Sequence, residues 1–258
     1  TFITGKTTSN DFPFPTINNG LYTKSNYHCS GSNSEAFVAE LDANGSLYWA
    51  TYFGNNDEEY FNDLVLDGLG NLYCVGKSGA TVISNEFVPQ TGTQYQSTTG
   101  NGLIIKFNNS NDLVWTTLIN TNKELTTVDC DKVGNVFIGG YTTGGTTYPV
   151  QNYDPTPAYS SFLSLNQNPT KLQGVLTKFS TANSIDFSMY YGAAGTTGSN
   201  ENDVIRSIVV DKNDDVWVTG ETNSTNLLLK EFSTTATSDY YNTNLDKGYA
   251  INGSTNNA

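Results

Sequence analysis

Histidine is nearly absent from this chain, which has one, His28, in 258 residues, together with one Met and three Cys. A Ser-His-Asp triad or a His-rich zinc site would have to include His28, and no motif places a partner beside it. We therefore interpret His28 as a surface residue of a polar loop. The cysteines form no CxxC pair and no Cys/His cluster. We expect Cys74 and Cys130 to lie buried in strands, and Cys29 to lie in a loop, either free or paired outside this chain.

Positive charge is also scarce. The chain carries 12 Lys and Arg against 25 Asp and Glu, a formal charge of −13, and only 14% of its residues are charged. Such a charge repels phosphate backbones and anionic lipid, so nucleic acid is not an expected partner. No window approaches the roughly 18 consecutive apolar residues of a membrane helix, so direct insertion is not expected either. Thr1 begins in the middle of a motif, and we expect a chain cut from something longer or processed at its ends.

What the sequence does contain is a short recurring pattern. Residues 67–77, 131–142 and 211–222 each begin with Asp, continue through a turn rich in Gly or Asn, and end in an apolar strand followed by Gly. Residues 2–7 repeat the last part of this pattern. A period in the tens of residues is typical of solenoids and propellers. The abundance of Thr, Val, Tyr and Phe favours strands, and that of Asn and Gly favours turns, so the pattern predicts an all-β fold.

Each unit supplies four antiparallel strands in sequence, which predicts blades at 35–77, 101–142 and 173–222. Residues 1–7 are then the last strand of a preceding blade, and 247–258 contain the first strand of a following one. A four-stranded sheet with an apolar face cannot stand alone, but copies packed around an axis cover one another. We predict one β-propeller region over 1–258, with four-stranded antiparallel blades. It would be a partial arc of a larger ring of about seven or eight blades.

The up-and-down strand order places the tight turns on one face and the long, variable loops on the other, where we expect any binding site. Tyrosines in these loops are the candidate ligand-binding residues, because Tyr offers flat apolar area with a polar tip. An alternative is that they cover sheet edges and anchor the loops. The candidates are Tyr95, Tyr148, Tyr153, Tyr159, Tyr240 and Tyr241.

Loop carboxylates are the candidate metal or ligand residues, and we expect them to cluster on the variable face. They are Asp57, Glu58, Glu59, Glu201 and Asp203. A solvated acidic rim and the paired carboxylates of a glycosidase are the alternatives. No cofactor is expected, although 211–215 resembles the start of a calcium loop. Its equivalents at 67–71 and 131–135 carry Gly in place of Asp214, and a turn explains all three.

The residues also carry a family resemblance. The segment 35–42 followed by 49–52, the Asp-x-x-Gly-Asn strand with its closing Gly, and 8–13 together resemble the bacterial β-propeller repeats known as SBBP repeats, over nearly the whole chain. The chain departs from the pattern at Asn120, where the first unit has Gly54, and at Asp214. The resemblance implies a secreted or surface-exposed bacterial protein, similar to adhesins or to type IX secretion cargo of Bacteroidota. It brings no catalytic motif.

We therefore expect a non-catalytic module, extracellular or at the cell surface and associated with the outer membrane, that binds a protein or glycan through its long loops. The rest of a larger polypeptide is a further expected partner. Two alternatives stay open: an extracellular propeller enzyme acting on polysaccharide, and a structural subunit of a surface assembly.

Overall fold

The computed structural model describes residues 1–15, 22–25, 33–54, 57–79, 94–143, 148–151, 170–192 and 201–224. Within these ranges the regular secondary structure consists of β-strands. Their bounds are β1 Phe2–Thr7, β2 Glu35–Leu41, β3 Leu47–Phe53, β4 Glu59–Leu66, β5 Leu72–Ser78, β6 Gly102–Phe107, β7 Leu113–Ile119, β8 Glu124–Cys130, β9 Val136–Thr143, β10 Leu172–Phe179, β11 Ile185–Tyr191, β12 Asp203–Val210 and β13 Val216–Thr222. The all-β prediction is confirmed. The strand predicted within 247–258 lies outside the described residues.

The strands pair as antiparallel neighbours in four sheets. Two sheets have four strands each, ordered β4-β5-β6-β7 and β8-β9-β10-β11. A three-stranded sheet, β1-β2-β3, comes before them, and a pair, β12-β13, comes after them. The prediction of four-stranded antiparallel sheets in sequential order is thus confirmed.

The observed sheets are shifted along the chain by two strands relative to the predicted blades. The segments 35–77, 101–142 and 173–222 are each divided between two sheets, because β3 pairs with β2 but not with β4. Likewise β1 belongs with β2 and β3, and is not the end of a separate preceding blade. The physical reason is that both backbone edges of β5 are hydrogen-bonded, one to β4 and the other to β6, so β5 and β6 belong to one sheet. β3 pairs with β2, and the chain passes from β3 to the next sheet at β4.

The hydrophobic core lies between successive sheets, and the same aromatic contact occurs in it twice. The buried ring of Trp49 in β3 meets Phe107 edge-on, with ring centroids 5.2 Å apart, and Trp115 in β7 meets Phe179 in the same way at 5.2 Å. Each tryptophan therefore packs an outer strand onto the following sheet. The inner edges converge, since β4 contacts β8 and β8 contacts β12. The sheets fan out from this inner edge, as the blades of a propeller do.

Six tight turns in the described residues share one geometry. In each, the N–H of the first residue donates to the carbonyl of the fifth, as Asp42 does to Ser46 at 2.9 Å. The fourth residue has a positive φ in every turn: Gly45, Gly70, Asn111, Gly134, Asn183 and Asp214. Gly, Asn and Asp tolerate this left-handed conformation best. Contacts such as the ion pair between Lys132 and Asp214, 3.3 Å apart, join turns of different sheets at one end of the molecule.

Candidate functional site

The turn that resembled a calcium loop uses its first aspartate for its own backbone. Oδ1 of Asp211 accepts the N–H of Asn213 at 2.7 Å and that of Asp215 at 3.1 Å. These bonds, the one from Asn213 foremost, lower the pKa of Asp211. Asp67 and Asp131 hold the equivalent amides in the same way. The turn explanation therefore accounts for all three copies.

Two of the predicted metal-binding carboxylates lie at the opposite end, but inside the structure. Glu59 is fully buried at the start of β4 and accepts a hydrogen bond from Oγ of Ser78 at 3.0 Å. Asp203 occupies the same position in β12, is 3% exposed, and accepts bonds from Thr222 at 2.5 Å and Ser224 at 2.9 Å. Each carboxylate ties the start of an inner strand to the end of its neighbour.

A glycine makes room for each of these buried acids. A Cβ added at Gly54 would lie 2.6 Å from Oε2 of Glu59, and one at Gly192 would lie 2.5 Å from Oδ2 of Asp203. The second unit has Asn120 at the glycine position and Lys123 at the acid position. The two differences are therefore coupled. The glycine position carries a larger residue, Asn120, in the unit in which no buried acid needs the space.

The other predicted carboxylates stay near the surface. Glu58 lies between two lysines, 3.5 Å from Nζ of Lys6 and 3.8 Å from Nζ of Lys77. Asp57 is exposed and Glu201 is half-buried. In the described part of the chain, no three His, Cys, Asp or Glu side chains come together in a way that could hold a metal ion. The structure therefore does not bring the five candidates into one cluster.

The two described tyrosine candidates anchor loops. The carbonyl of Tyr95 accepts a bond from Nε1 of Trp115 at 3.0 Å, just as the carbonyl of Tyr22 accepts one from Trp49 at 2.9 Å. Tyr148 is 4% exposed, and its hydroxyl lies 2.5 Å from Oγ1 of Thr177. This matches the anchoring alternative. The other candidates, Tyr153, Tyr159, Tyr240 and Tyr241, lie outside the described residues, as do His28 and Cys29.

A polar cluster that the sequence did not single out lies where the inner strands begin, at the end opposite the tight turns. We call it the inner-end cluster: Tyr60, Asn62, Glu124, Tyr141 and Arg206. Glu124 is its centre, with Oε2 accepting bonds from Tyr60 at 2.8 Å and Asn62 at 3.0 Å, and Oε1 accepting one from Tyr141 at 2.5 Å. The guanidinium of Arg206 stacks over the Tyr141 ring, 5.7 Å from its centroid. Three sheets thus contribute to one arrangement.

These contacts fix the ionisation of the cluster. Burial raises the pKa of Glu124, but the bonds from Tyr141, Asn62 and Tyr60 outweigh it, so the net pKa is lowered. Burial, followed by the bond to Glu124, raises the pKa of Tyr141 to about 12 and also raises that of Tyr60. The centre is therefore a carboxylate held ionised by neutral phenols, which acts as a fixed acceptor.

Exposed charges surround the cluster. Lys6 lies over the Tyr60 ring, 5.0 Å from its centroid, on a side chain 56% exposed. Arg206 donates to Glu221 at 2.8 Å, with side chains 47% and 55% exposed. One feature of the sequence points to this end of the strands. The residue after the closing glycine of the repeated strand is Lys6, Lys77, Tyr141 or Glu221, so this slot changes its chemistry in an otherwise repetitive motif.

Comparison with known proteins agrees with this architecture. Residues 186–227 match the β-propeller repeat family known as SBBP, so this segment is a repeat of that type. The matched segment runs from β11 through β13 and crosses from one sheet to the next, as the observed strand grouping requires. No curated protein matches the chain. Over the described ranges, no helix is long and apolar enough to cross a membrane.

Proposed function

We propose that this chain is a non-catalytic propeller module that binds a protein or glycan partner at the end carrying the inner-end cluster. The observation that carries the proposal is the convergence of Glu124, Tyr60, Tyr141 and Arg206 from three sheets. Planar polar groups and aromatic faces held in place by neighbouring strands present donors and acceptors with little ordering left to occur on binding. The proposed site moves from the loop tyrosines to the inner strand ends.

The electrostatics of Glu124 favour binding over acid catalysis. A glycosidase acid needs a carboxyl group whose pKa is raised so that it carries a proton at working pH. The net pKa of Glu124 is shifted in the opposite direction, and three donors already occupy its oxygens. Such a group serves as an anchor that orients Tyr60 and Tyr141.

The setting we propose is a longer secreted or cell-surface polypeptide, with this chain as part of a larger propeller. The support is the SBBP match of residues 186–227 together with the resemblance carried by the other units. An extracellular position also suits an acidic surface, which stays soluble and does not adhere to nucleic acid.

The test compares two exposed cations at opposite ends of the molecule. Arg206 in the proposed site pairs with Glu221, and Lys132 at the tight-turn end pairs with Asp214, so both substitutions remove one surface ion pair. Arg206→Ala should weaken binding to an array of neutral and acidic oligosaccharides, or to a partner captured from cell-surface extract, by roughly tenfold. Lys132→Ala should leave binding unchanged. Equal effects of the two variants, or no binding in either assay, would contradict the proposal.

A further inference from the structure

Two hairpins at the tight-turn end of the molecule carry apolar side chains on their outer surface. Leu69, at the third position of the β4–β5 turn, is 78% exposed, and Val133, at the same position of the β8–β9 turn, is 69% exposed. Leu66 ends β4 and is 44% exposed, and Cys130 ends β8 and is partly exposed. We call these four residues the hairpin patch.

The two hairpin ends lie against each other, so the patch is continuous. Sγ of Cys130 donates to the carbonyl of Leu66 at 3.5 Å. A Cβ added at Gly68 in the first turn would lie 3.9 Å from the carbonyl oxygen of Lys132 in the second. Single exposed apolar residues are ordinary on protein surfaces, whereas a contiguous group of them is typical of interaction sites.

The turn itself does not require an apolar residue at its third position, because it uses only the backbone there. The N–H of Leu69 donates to Oδ1 of Asp67 at 2.9 Å, and that of Val133 donates to Oδ1 of Asp131 at 3.1 Å. The four other tight turns of the described residues fill the position with small or polar residues, namely Asn44, Ser110, Ala182 and Asn213. The exposed Leu69 and Val133 are therefore not explained by the turn.

Acidic groups surround the hairpin patch. Burial, followed by the negative charges of Asp129 and Asp67, raises the pKa of the Cys130 thiol to about 11. Residues 66–71 and 130–135 contain one cation, Lys132, and it is already paired with Asp214, 3.3 Å away. An apolar surface in acidic surroundings is complementary to a segment that combines apolar with cationic side chains.

We propose that the hairpin patch docks a segment of a partner protein that carries both apolar and basic side chains. A hydrophobic centre with a charged rim is the usual anatomy of a protein–protein interface. The formal charge of −13 disfavours anionic lipid and nucleic acid as occupants. The patch lies at the end opposite the inner-end cluster, so this proposal does not depend on the function proposed for that cluster.

Three synthetic peptides of about twelve residues test the proposal with the full 258-residue chain. One consists of Leu and Lys, one of Leu and Glu, and one of Ser and Lys, so apolar content and charge vary separately. Calorimetric titration should show that the Leu/Lys peptide binds at least roughly tenfold more tightly than the other two, because only it matches both features of the surface. The bound peptide should also slow maleimide modification of Cys130, measured by peptide mapping, since Cys130 belongs to the patch.

Substitutions at the third turn position locate the binding. A double variant, Leu69→Ser with Val133→Asn, introduces residue types that already fill this position in sister turns, so the fold should be retained. It should bind the Leu/Lys peptide roughly tenfold more weakly, because a few well-placed side chains dominate such interfaces. Val150→Ser removes a valine that is 40% exposed outside the patch. This matched control should bind the peptide as the unsubstituted chain does.

Several results would overturn the proposal. Equal affinities for the Leu/Lys and Ser/Lys peptides would mean that the overall negative charge alone attracts them. An unchanged affinity in the double variant, or unchanged labelling of Cys130, would place the binding elsewhere on the molecule. Self-association of the chain that the double variant abolishes would make a second copy the occupant. A dissociation constant above about 1 mM for the Leu/Lys peptide would mean that the patch docks no such segment.

Discussion

The substitution Gly45→Ala, at the left-handed position of the first tight turn, measures what it costs to place a side chain on a backbone with positive φ. Gly45 has a φ of 80°, and a Cβ built there meets no atom within 4 Å, so no steric clash contributes. An L-residue in this region costs about 1 to 2 kcal/mol. The substitution also stiffens the unfolded chain, which returns roughly 0.4 to 1 kcal/mol. The variant should therefore be destabilised by about 1 kcal/mol.

Two matched variants test the reasoning. Gly45→Asn should be close to neutral, because Asn111 and Asn183 fill the same position in sister turns with φ of 58° and 59°. Gly68→Ala changes a glycine in the next turn whose φ is not in the positive range and whose Cβ would lie 3.9 Å from the nearest atom. It should be neutral or stabilising by up to about 1 kcal/mol.

The assay is urea unfolding of the full chain, followed by circular dichroism and compared at constant slope, so that midpoint shifts report stability. For a chain of this size, 1 kcal/mol corresponds to about 2 to 4 °C in Tm. Equal midpoints for Gly45→Ala and Gly68→Ala would refute the view that the fourth turn position is fixed by backbone conformation.

Three further outcomes are expected. Gly192→Ala should lower the free energy of unfolding by about 1 to 3 kcal/mol through overpacking against Asp203. In a double-mutant cycle Asp203→Ala should relieve part of that cost, and additive effects would contradict the coupling. The folded pKa of Glu124 is lowered from 4.5, so its contribution to stability is present above that pH and is lost as the pH falls below it. Glu124→Gln should therefore make the free energy of unfolding, measured against pH, fall less steeply on the acid side. Burial, then Asp129, raises the pKa of Cys130 to about 11, so peptide mapping after thiol labelling at neutral pH should find it modified more slowly than a free cysteine.

The strands could be predicted from the sequence because their signals are local. The Asp-x-x-Gly-Asn turn and the alternation after it lie within about a dozen residues, and the repeats supply independent copies. The role of the turn at 211–215 was also predictable. Its equivalents lack Asp214, so a calcium loop fits one copy alone, whereas a turn fits all three. The grouping into sheets was not. Every neighbouring pair is antiparallel, so periodicity does not reveal whether β3 turns back onto β4 or leads into the next sheet.

The candidate carboxylates show a second limit. Glu59 and Asp203 look like loop acids because a polar segment precedes each of them. Their burial depends on Ser78, Thr222 and the glycines that make room, and only the fold brings these residues together. The same holds for Tyr148, a loop residue whose partner Thr177 lies 29 residues further along the chain, in β10.

The inner-end cluster was missed because its contacts cross sheets. Tyr60 and Asn62 reach Glu124 over 64 and 62 residues of sequence. A short-range motif search finds no such site. Comparison of the repeats with one another offers a better route, because scaffold positions keep their chemistry while the slot after the closing glycine does not. That slot holds Lys6 and Lys77 in the early copies, Tyr141 in the third and Glu221 in the fourth.

One strand position with several chemistries is what a binding surface on a repeated scaffold requires. Each copy places its side chain at the same end of its sheet, so the backbone fixes the position and the residue type sets the local charge. Tyr141→Lys would give the third copy the lysine that the first two copies carry, without disturbing the strand pairing of Glu124 with position 141. It would also replace a phenol donor of the central carboxylate by an ammonium group. If this slot determines partner choice, that variant should change which ligands bind. The ammonium group can also donate to the carboxylate, so the free energy of unfolding should fall by no more than about 1 kcal/mol, the net contribution of a typical hydrogen bond.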